Sequence, residues 1–164
     1  NDDHIVFDLL TPYRFRVHGK TVEKRFVGGL LGHWSVWTRT AVRTFDAIRA
    51  SIPNAAVPDE MLSLAAAVTD CNGAFFDAAN GFRGCIAGVH AVLCRQGLMR
   101  GTWCLNPDEK LSPGQKGEID RVYDAYPSLN DDAFVRDFLA QDASSRREAY
   151  ATPESPGTSA TWTI

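Results

Sequence analysis

The sequence lacks the features that mark membrane-spanning and nucleic-acid-binding proteins. No apolar run approaches the roughly 18 residues that a membrane-spanning helix needs. The 164 residues contain 17 Lys and Arg against 20 Asp and Glu, which gives a net charge of -3, and no long basic run is present. A protein that binds nucleic acid through its phosphates needs a basic surface, which this composition does not favour. We therefore expect no membrane partner and no nucleic-acid partner.

Cysteines are few, and their spacing does not suit a metal site. The four are Cys71, Cys85, Cys94 and Cys104, and they form no C-x-x-C pair. We therefore expect no structural zinc site. Because most of them lie within apolar helical patterns, we interpret them as reduced core thiols of a cytoplasmic protein. We expect no bound metal and no cofactor.

Lysine is also scarce, and its positions do not suggest catalysis. The four are Lys20, Lys24, Lys110 and Lys116. A lysine that forms a Schiff base must lose its proton near neutral pH, usually because it is buried. All four lie in polar, turn-like or helix-surface contexts, where a lysine is expected to be solvated. We therefore predict no catalytic lysine within this chain.

The chain begins with a short apolar segment. The composition, with 45% hydrophobic and 23% charged residues, is that of a globular domain with a core. Ile5, Val6, Leu9 and Leu10 share one helical face, although a short buried strand also fits. Pro12 ends the segment in either case.

Extended patterns follow this segment. Phe15 and Val17 alternate with arginines ahead of His18-Gly19, which predicts a β-hairpin over residues 13–27. The apolar, glycine-rich segment Gly28–Gly32 predicts a buried strand that enters a tight loop. One isolated strand cannot satisfy its own backbone hydrogen bonds. The sequence therefore suggests neighbouring strands that it does not itself contain.

Beyond residue 38 the patterns are helical. Helices are predicted to begin near Thr38, Pro58, Arg83, Ser112 and Asn130, where capping residues, proline or acids precede apolar periodicity. The predicted buried faces are Val42, Phe45 and Ile48 in the first of these helices, Ile86, Val89, His90 and Leu93 in the third, and Ile119, Val122 and Tyr123 in the fourth. From residue 141 the chain becomes polar, which predicts a flexible tail over residues 141–164.

The predicted strand is followed by two residues that are candidates for a substrate site. His33 and Trp34 follow a glycine-rich strand end, the position at which α/β barrels carry functional groups. They could form a wall of a substrate pocket, with His33 as a proton donor. The alternative is a histidine and an indole that pack a loop. A further alternative is a metal-dependent enzyme that uses His4, His33 and Asp2.

Three stretches of the chain resemble one enzyme family. Thr69–Val135, TDCNGAFFDAANGFRGCIAGVHAVLCRQGLMRGTWCLNPDEKLSPGQKGEIDRVYDAYPSLNDDAFV, resembles the C-terminal helical region of the dihydrodipicolinate synthase / N-acetylneuraminate lyase family. Within that family it looks closest to a divergent bacterial branch. Phe26–Val42, FVGGLLGHWSVWTRTAV, resembles the eighth barrel strand of the family and the helix after it. Asn1-Asp2-Asp3 resembles the Gly-Asp-Asp turn after the seventh strand, with Asn1 in place of the glycine.

The resemblance implies a fold and a chemistry. The fold is α/β, namely the C-terminal part of a (β/α)8 TIM barrel over residues 1–50, with the hairpin as an insertion, and an all-helical region over residues 51–140. In the family, a strand lysine forms a Schiff base with pyruvate or another 2-keto acid, and a tyrosine relays protons. Both residues would lie upstream of Asn1.

The resemblance also implies partners and pocket residues. The expected partners are the N-terminal part of the same barrel, further copies in a homo-oligomer, and a small 2-keto acid. The residues expected at the substrate are Asn1 and Asp2 by position, and Gly29, Leu30 and Leu31 at the strand end. Local context adds His33 and Trp34 to this set.

We therefore expect the C-terminal portion of a Schiff-base-forming lyase or aldolase that is inactive alone. The alternative is a non-catalytic helical module for interaction or oligomerisation, with the tail as a partner-binding arm.

Overall fold

The computed structural model describes residues 4–29, 32–54 and 56–151, and its side chains over the same ranges except for His33 and residues 143–151. These residues form α-helices and one antiparallel hairpin. The elements are α1 (Ile5–Leu10), β1 (Tyr13–Val17), β2 (Lys20–Lys24), a 3-10 turn (Gly32–Ser35), α2 (Thr38–Ser51), α3 (Asp59–Phe75), a second 3-10 turn (Ala78–Asn80), α4 (Cys85–Arg95), α5 (Gln115–Ala125) and α6 (Asp132–Ala151).

The prediction of an α/β fold that ends a TIM barrel is wrong. In the described residues the only strands are β1 and β2, which pair with each other and with no third strand. Residues 26–29 form no strand, and Gly32–Ser35 is a 3-10 turn. Glycine-rich apolar composition indicated burial, but a strand also needs a partner for its backbone hydrogen bonds. The fold that replaces the barrel is mainly helical.

The predicted hairpin is present and is tied to α1 at its base. His18 and Gly19, both with positive φ (48° and 77°), form its two-residue turn, as the twist of a tight hairpin requires. The Tyr13 hydroxyl donates a hydrogen bond to Asp8 Oδ1 at 2.7 Å. Arg25 Nη1 donates to the Leu10 carbonyl oxygen at the same distance. The hairpin thus extends from the end of α1, which is helical as predicted.

The hydrophobic core is centred on Trp37, which is almost completely buried. Its ring meets the rings of Phe75 and Tyr123 edge to face, with centroids 4.9 Å away in both cases. Its Nε1–H donates to the Tyr123 hydroxyl oxygen at 3.2 Å. Such aromatic pairs contribute about 0.5–1.5 kcal/mol each beyond area burial. One indole therefore joins the start of α2 to α3 and α5.

The predicted core faces of two helices are partly right. In α2, Ile48 is buried as predicted, but Ala41 and Thr44 are buried too and Val42 is exposed. In α4, the predicted Val89 and Leu93 pack against the core, but Ala87 and Gly88 are among the buried residues, and the predicted Ile86 is exposed; His90 is half-buried. Small residues on these faces let the helices approach closely.

The last two helices differ from prediction at their boundaries. Ser112 does not cap α5, which begins after Gly114, a residue with φ +85°. The predicted buried face of α5, with Ile119, Val122 and Tyr123, is confirmed. α6 continues to Ala151, past the change in composition at residue 141, and residues 152–164 lie outside the described range. None of the described helices has the length and apolarity needed to cross a bilayer.

Candidate functional site

The structure brings together only part of the predicted pocket rim. Asn1, Asp2, Leu30 and Leu31 lie outside the described residues, so their predicted role stays a prediction. His33 lies in the 3-10 turn Gly32–Ser35, and its side chain is not described. Of the predicted pocket residues, the structure therefore describes Gly29 and the side chain of Trp34.

Gly29 and Trp34 pack against each other. A Cβ on Gly29 would overlap Nε1 of the Trp34 indole and would lie 3.0 Å from Ile5 Cδ1. The other side of the indole meets the ring of Phe45 edge to face, with centroids 5.8 Å apart. Because the indole fills the space above a glycine backbone, this contact is a packing contact. This contact agrees with the alternative interpretation of Trp34, in which the indole packs a loop.

The four lysines are all exposed, in agreement with their predicted contexts. Lys116 Nζ forms an ion pair with Asp120 Oδ2 at 2.6 Å. Lys20 and Lys24 lie on the hairpin, and Lys110 lies in the loop before α5. A Schiff-base lysine is usually buried so that its ammonium loses a proton at neutral pH. None of the four has that environment.

The most developed polar cluster surrounds Asp77, where α3 ends. Its side chain is buried, and its backbone is left-handed with φ 61°. Oδ2 accepts hydrogen bonds from the Gly84 backbone N–H at 2.8 Å and from the Ser112 hydroxyl at 2.5 Å. Oδ1 accepts one from Asn80 Nδ2 at 2.7 Å. Burial by itself would raise the pKa of Asp77, but these donors outweigh it and lower the pKa.

Gln115 completes this cluster from the first turn of α5. Its Nε2 donates to the carbonyl oxygens of Gly84 at 3.0 Å and Phe75 at 3.3 Å. Its Oε1 accepts from the Ser112 backbone N–H at 3.0 Å. One buried amide thus satisfies backbone groups at the end of α3, before α4 and before α5. Together with Asp77 it holds three helix termini in one place, which is a structural task.

A groove of about 530 Å³ runs beside this cluster, between α3 and α5. Its most polar feature is Asp70, whose two oxygens accept hydrogen bonds from Arg121 at 2.7 and 2.8 Å. The Tyr126 hydroxyl donates to the same carboxylate at 2.8 Å. The bonds from Arg121 are the main reason that the pKa of Asp70 is lowered. A carboxylate held ionised by three donors is a weak proton acceptor, so it does not suit general base catalysis.

Cysteine and histidine chemistry is also disfavoured in the described residues. All four cysteines are free thiols. Burial raises the pKa of Cys71 to about 12, so it stays a protonated core thiol. Cys104 Sγ lies 3.8 Å from His90 Nδ1, but that nitrogen also faces the Trp103 carbonyl oxygen at 3.0 Å, and desolvation raises the pKa of Cys104. Among the described residues no three His, Cys, Asp or Glu side chains are grouped as metal ligands.

Comparisons with known proteins return nothing for this chain: no family model, no curated protein and no solved structure matches it.

The sequence analysis did not identify Asp77 and Gln115, the two residues at the centre of the buried polar cluster. Asp77, which precedes Asn80-Gly81, had a turn signal that could have identified it, because Asp and Asn tolerate left-handed backbone and accept local hydrogen bonds. Gln115 had no such signal, since the carbonyl oxygens to which its Nε2 donates are 31 to 41 residues away in sequence. The polar groups of this cluster are used to hold helix termini together, so the cluster has a structural role.

Proposed function

We propose that this chain is the helical, non-catalytic portion of a Schiff-base-forming lyase or aldolase that acts on pyruvate or another 2-keto acid. Its catalytic lysine would lie in polypeptide outside residues 1–164. The sequence supports this through the stretch Thr69–Val135, which resembles the helical region of the dihydrodipicolinate synthase / N-acetylneuraminate lyase family. A cytoplasmic location and a homo-oligomeric state belong to the same proposal.

The observation that carries the non-catalytic part of this proposal is the exposure of the four lysines, namely Lys20, Lys24, Lys110 and Lys116. Formation of a Schiff base requires the neutral amine to attack the ketone carbon, after which water leaves and a C=N bond remains. A solvated ammonium is protonated at neutral pH and is therefore a poor nucleophile. If the protein performs this chemistry, another lysine must supply the amine.

The test uses the native polypeptide that contains this sequence, isolated through a C-terminal tag. It is incubated with pyruvate and then with borohydride, which reduces the imine to a stable secondary amine. Mass spectrometry of the peptides locates the modified lysine. Lactate, which has no ketone, serves as the matched control. We expect an adduct with pyruvate alone, on a peptide outside residues 1–164, whereas an adduct on any of the four lysines would contradict the proposal.

A second candidate is a helical interaction or oligomerisation module with no lyase chemistry. The observation in its favour is a group of exposed apolar side chains next to the hairpin, among them Phe15, Phe26 and Val27, the last 90% exposed. A native polypeptide that gives no adduct anywhere with pyruvate and borohydride would favour this candidate over the first.

A further inference from the structure

One face of the hairpin combines apolar and basic side chains. Phe15 and Val17 alternate along β1 and so point to the same side of the sheet. Lys20 lies opposite Val17 in β2, and Lys24 lies opposite Tyr13, whose ring contacts the ring of Phe26 edge to face. We call Phe15, Val17, Phe26, Lys20 and Lys24 the hairpin face.

The hairpin face is uncovered in the described part of the chain. Phe15, Val17 and Phe26 are 52%, 46% and 55% exposed, respectively. β1 and β2 contact each other far more than they contact any other element. A two-stranded hairpin is marginally stable without a covering layer on its apolar face. This face is therefore suited to bind a partner.

The charge of the hairpin indicates the chemistry of that partner. Residues 13–26 contain five Lys or Arg and one acid, a net charge of +4 in a chain of net charge -3, so the rest of the chain carries -7. Glu23 is already engaged by Arg14 and Arg25, at 3.1 and 3.8 Å. A complementary partner would present apolar groups together with carboxylates.

The chain itself carries such a surface where α3 begins. Val57 and Leu62 are exposed apolar side chains (48% and 52%), and Asp59 and Glu60 between them are exposed acids in the first turn of α3. From residue 50 to residue 82 the sequence has no Lys and no Arg. We call Val57, Asp59, Glu60 and Leu62 the α3 face.

Both faces lie a short distance from the end of α2. Phe26 and Val27 line a groove with Arg49 and Ile52, where α2 ends, and Val57 follows Ile52 by five residues, which span at most about 18 Å. When two complementary faces lie close together on one chain, a two-fold axis beside them allows each copy to receive the other copy's face. Such reciprocal interfaces are the commonest in homodimers.

We propose that a second copy of this chain covers the hairpin: the hairpin face of each copy docks on the α3 face of the other, around a two-fold axis. Lys20 and Lys24 then lie against Asp59 and Glu60, and Phe15, Val17 and Phe26 lie against Val57 and Leu62. This inference gives the homo-oligomeric state of the proposed function a specific interface, and it does not depend on the lyase chemistry.

The test is a charge exchange read out by light scattering and sedimentation velocity. The unmodified chain should run at twice 18.0 kDa and dissociate as salt rises, because salt screens exposed charges. The double variant Lys20→Glu/Lys24→Glu and the double variant Asp59→Lys/Glu60→Lys should each weaken self-association at least about 100-fold, since like charges then meet. An equimolar mixture of the two variants restores both complementary pairs and should form a heterodimer.

Matched controls carry the same charge changes elsewhere. Lys110→Glu/Lys116→Glu and Asp108→Lys/Glu109→Lys should remain dimeric, since these residues lie outside both faces. Circular dichroism checks that each variant is folded, and the salt titration of the unmodified chain needs no variant. A monomer at all concentrations at low salt would overturn the proposal. A mixture that does not recombine, or controls that dissociate equally, would overturn it as well.

Discussion

The polar groups of the helical part and those of the hairpin serve opposite purposes. Around Asp77 and Gln115, buried polar atoms bond to backbone groups of three helix termini and hold α3, α4 and α5 together. In the hairpin, charged groups are exposed and lie beside exposed aromatic rings. The difference shows that polar density alone does not indicate a site. What matters is whether the polar groups are already engaged within the protein.

The two parts should also differ in how strongly they respond to substitution. A buried polar group that loses its partner is costly, whereas a change on an exposed surface has a small effect on folding. Four predictions follow, in order of decreasing expected effect on the free energy of unfolding.

Asp77→Ala should have the largest effect, a loss of about 3 kcal/mol, because the Gly84 N–H is left buried without its acceptor and alanine tolerates left-handed backbone poorly. Asp77→Asn keeps one side-chain oxygen and tolerates that backbone, so it should lose about half as much. Urea titration measures both. Small losses for both variants would show that the acceptor role of the carboxylate is unimportant.

Gly88→Ala should cost about 2 kcal/mol. A Cβ at this position in α4 would overlap the Phe75 carbonyl oxygen, which is backbone and cannot move aside easily. The matched control is Gly117→Ala in α5, where nothing lies within 4 Å of the new Cβ. That change should stabilise the protein by about 0.5–1 kcal/mol, because alanine favours helix. The midpoint temperature of thermal unfolding should therefore fall for Gly88→Ala and rise for Gly117→Ala.

Tyr123→Phe should cost about 1–2 kcal/mol at neutral pH, because the buried Trp37 Nε1–H loses its acceptor. Burial raises the pKa of Tyr123 to about 12, above the value of about 10 in the unfolded chain. The folded state therefore holds this proton more tightly, and its stability falls as pH rises from about 10 to 12. The phenylalanine variant should lose less stability over that window, and parallel pH profiles would contradict this assignment.

Phe15→Ser should change the free energy of unfolding of the monomer by less than about 0.5 kcal/mol, since the ring is half exposed on the hairpin. Under conditions that favour the dimer, the same substitution should weaken self-association about tenfold or more. Unfolding at low protein concentration and sedimentation at high concentration separate the two effects. A large loss of monomer stability would show that the hairpin contributes to the fold as much as the helices do.

The local elements could be predicted from sequence better than their arrangement. Two local features depend only on neighbouring residues and could be predicted, namely the His18-Gly19 turn and the start of α3 after Pro58. The backbone conformation at Gly28 and Gly29 could not be predicted, because a strand forms only where another segment of backbone pairs with it. Part of the buried face of α4 was also missed, since Gly88 faces the core through a close approach to Phe75 that periodicity does not indicate.

The candidate site shows the same limit. The exposure of the lysines was predictable from their polar contexts, and the structure confirms it. The pairing of Asp70 with Arg121, 51 residues away, and the contacts of Gln115 depend on how the helices pack. The family resemblance suggested the chemistry, but it gave the wrong fold for residues 26–29.

Hydrogen exchange of the monomer, resolved by segment, most directly tests the division between a rigid helical part and an open hairpin. At a concentration low enough to prevent self-association, amides of α3 and α5 should exchange only through global unfolding, and those of β1 and β2 through local opening at much lower free energy. This result is expected because the helices share the Trp37 core and the Asp77 cluster. Hairpin amides as strongly protected as those of α3 would contradict it.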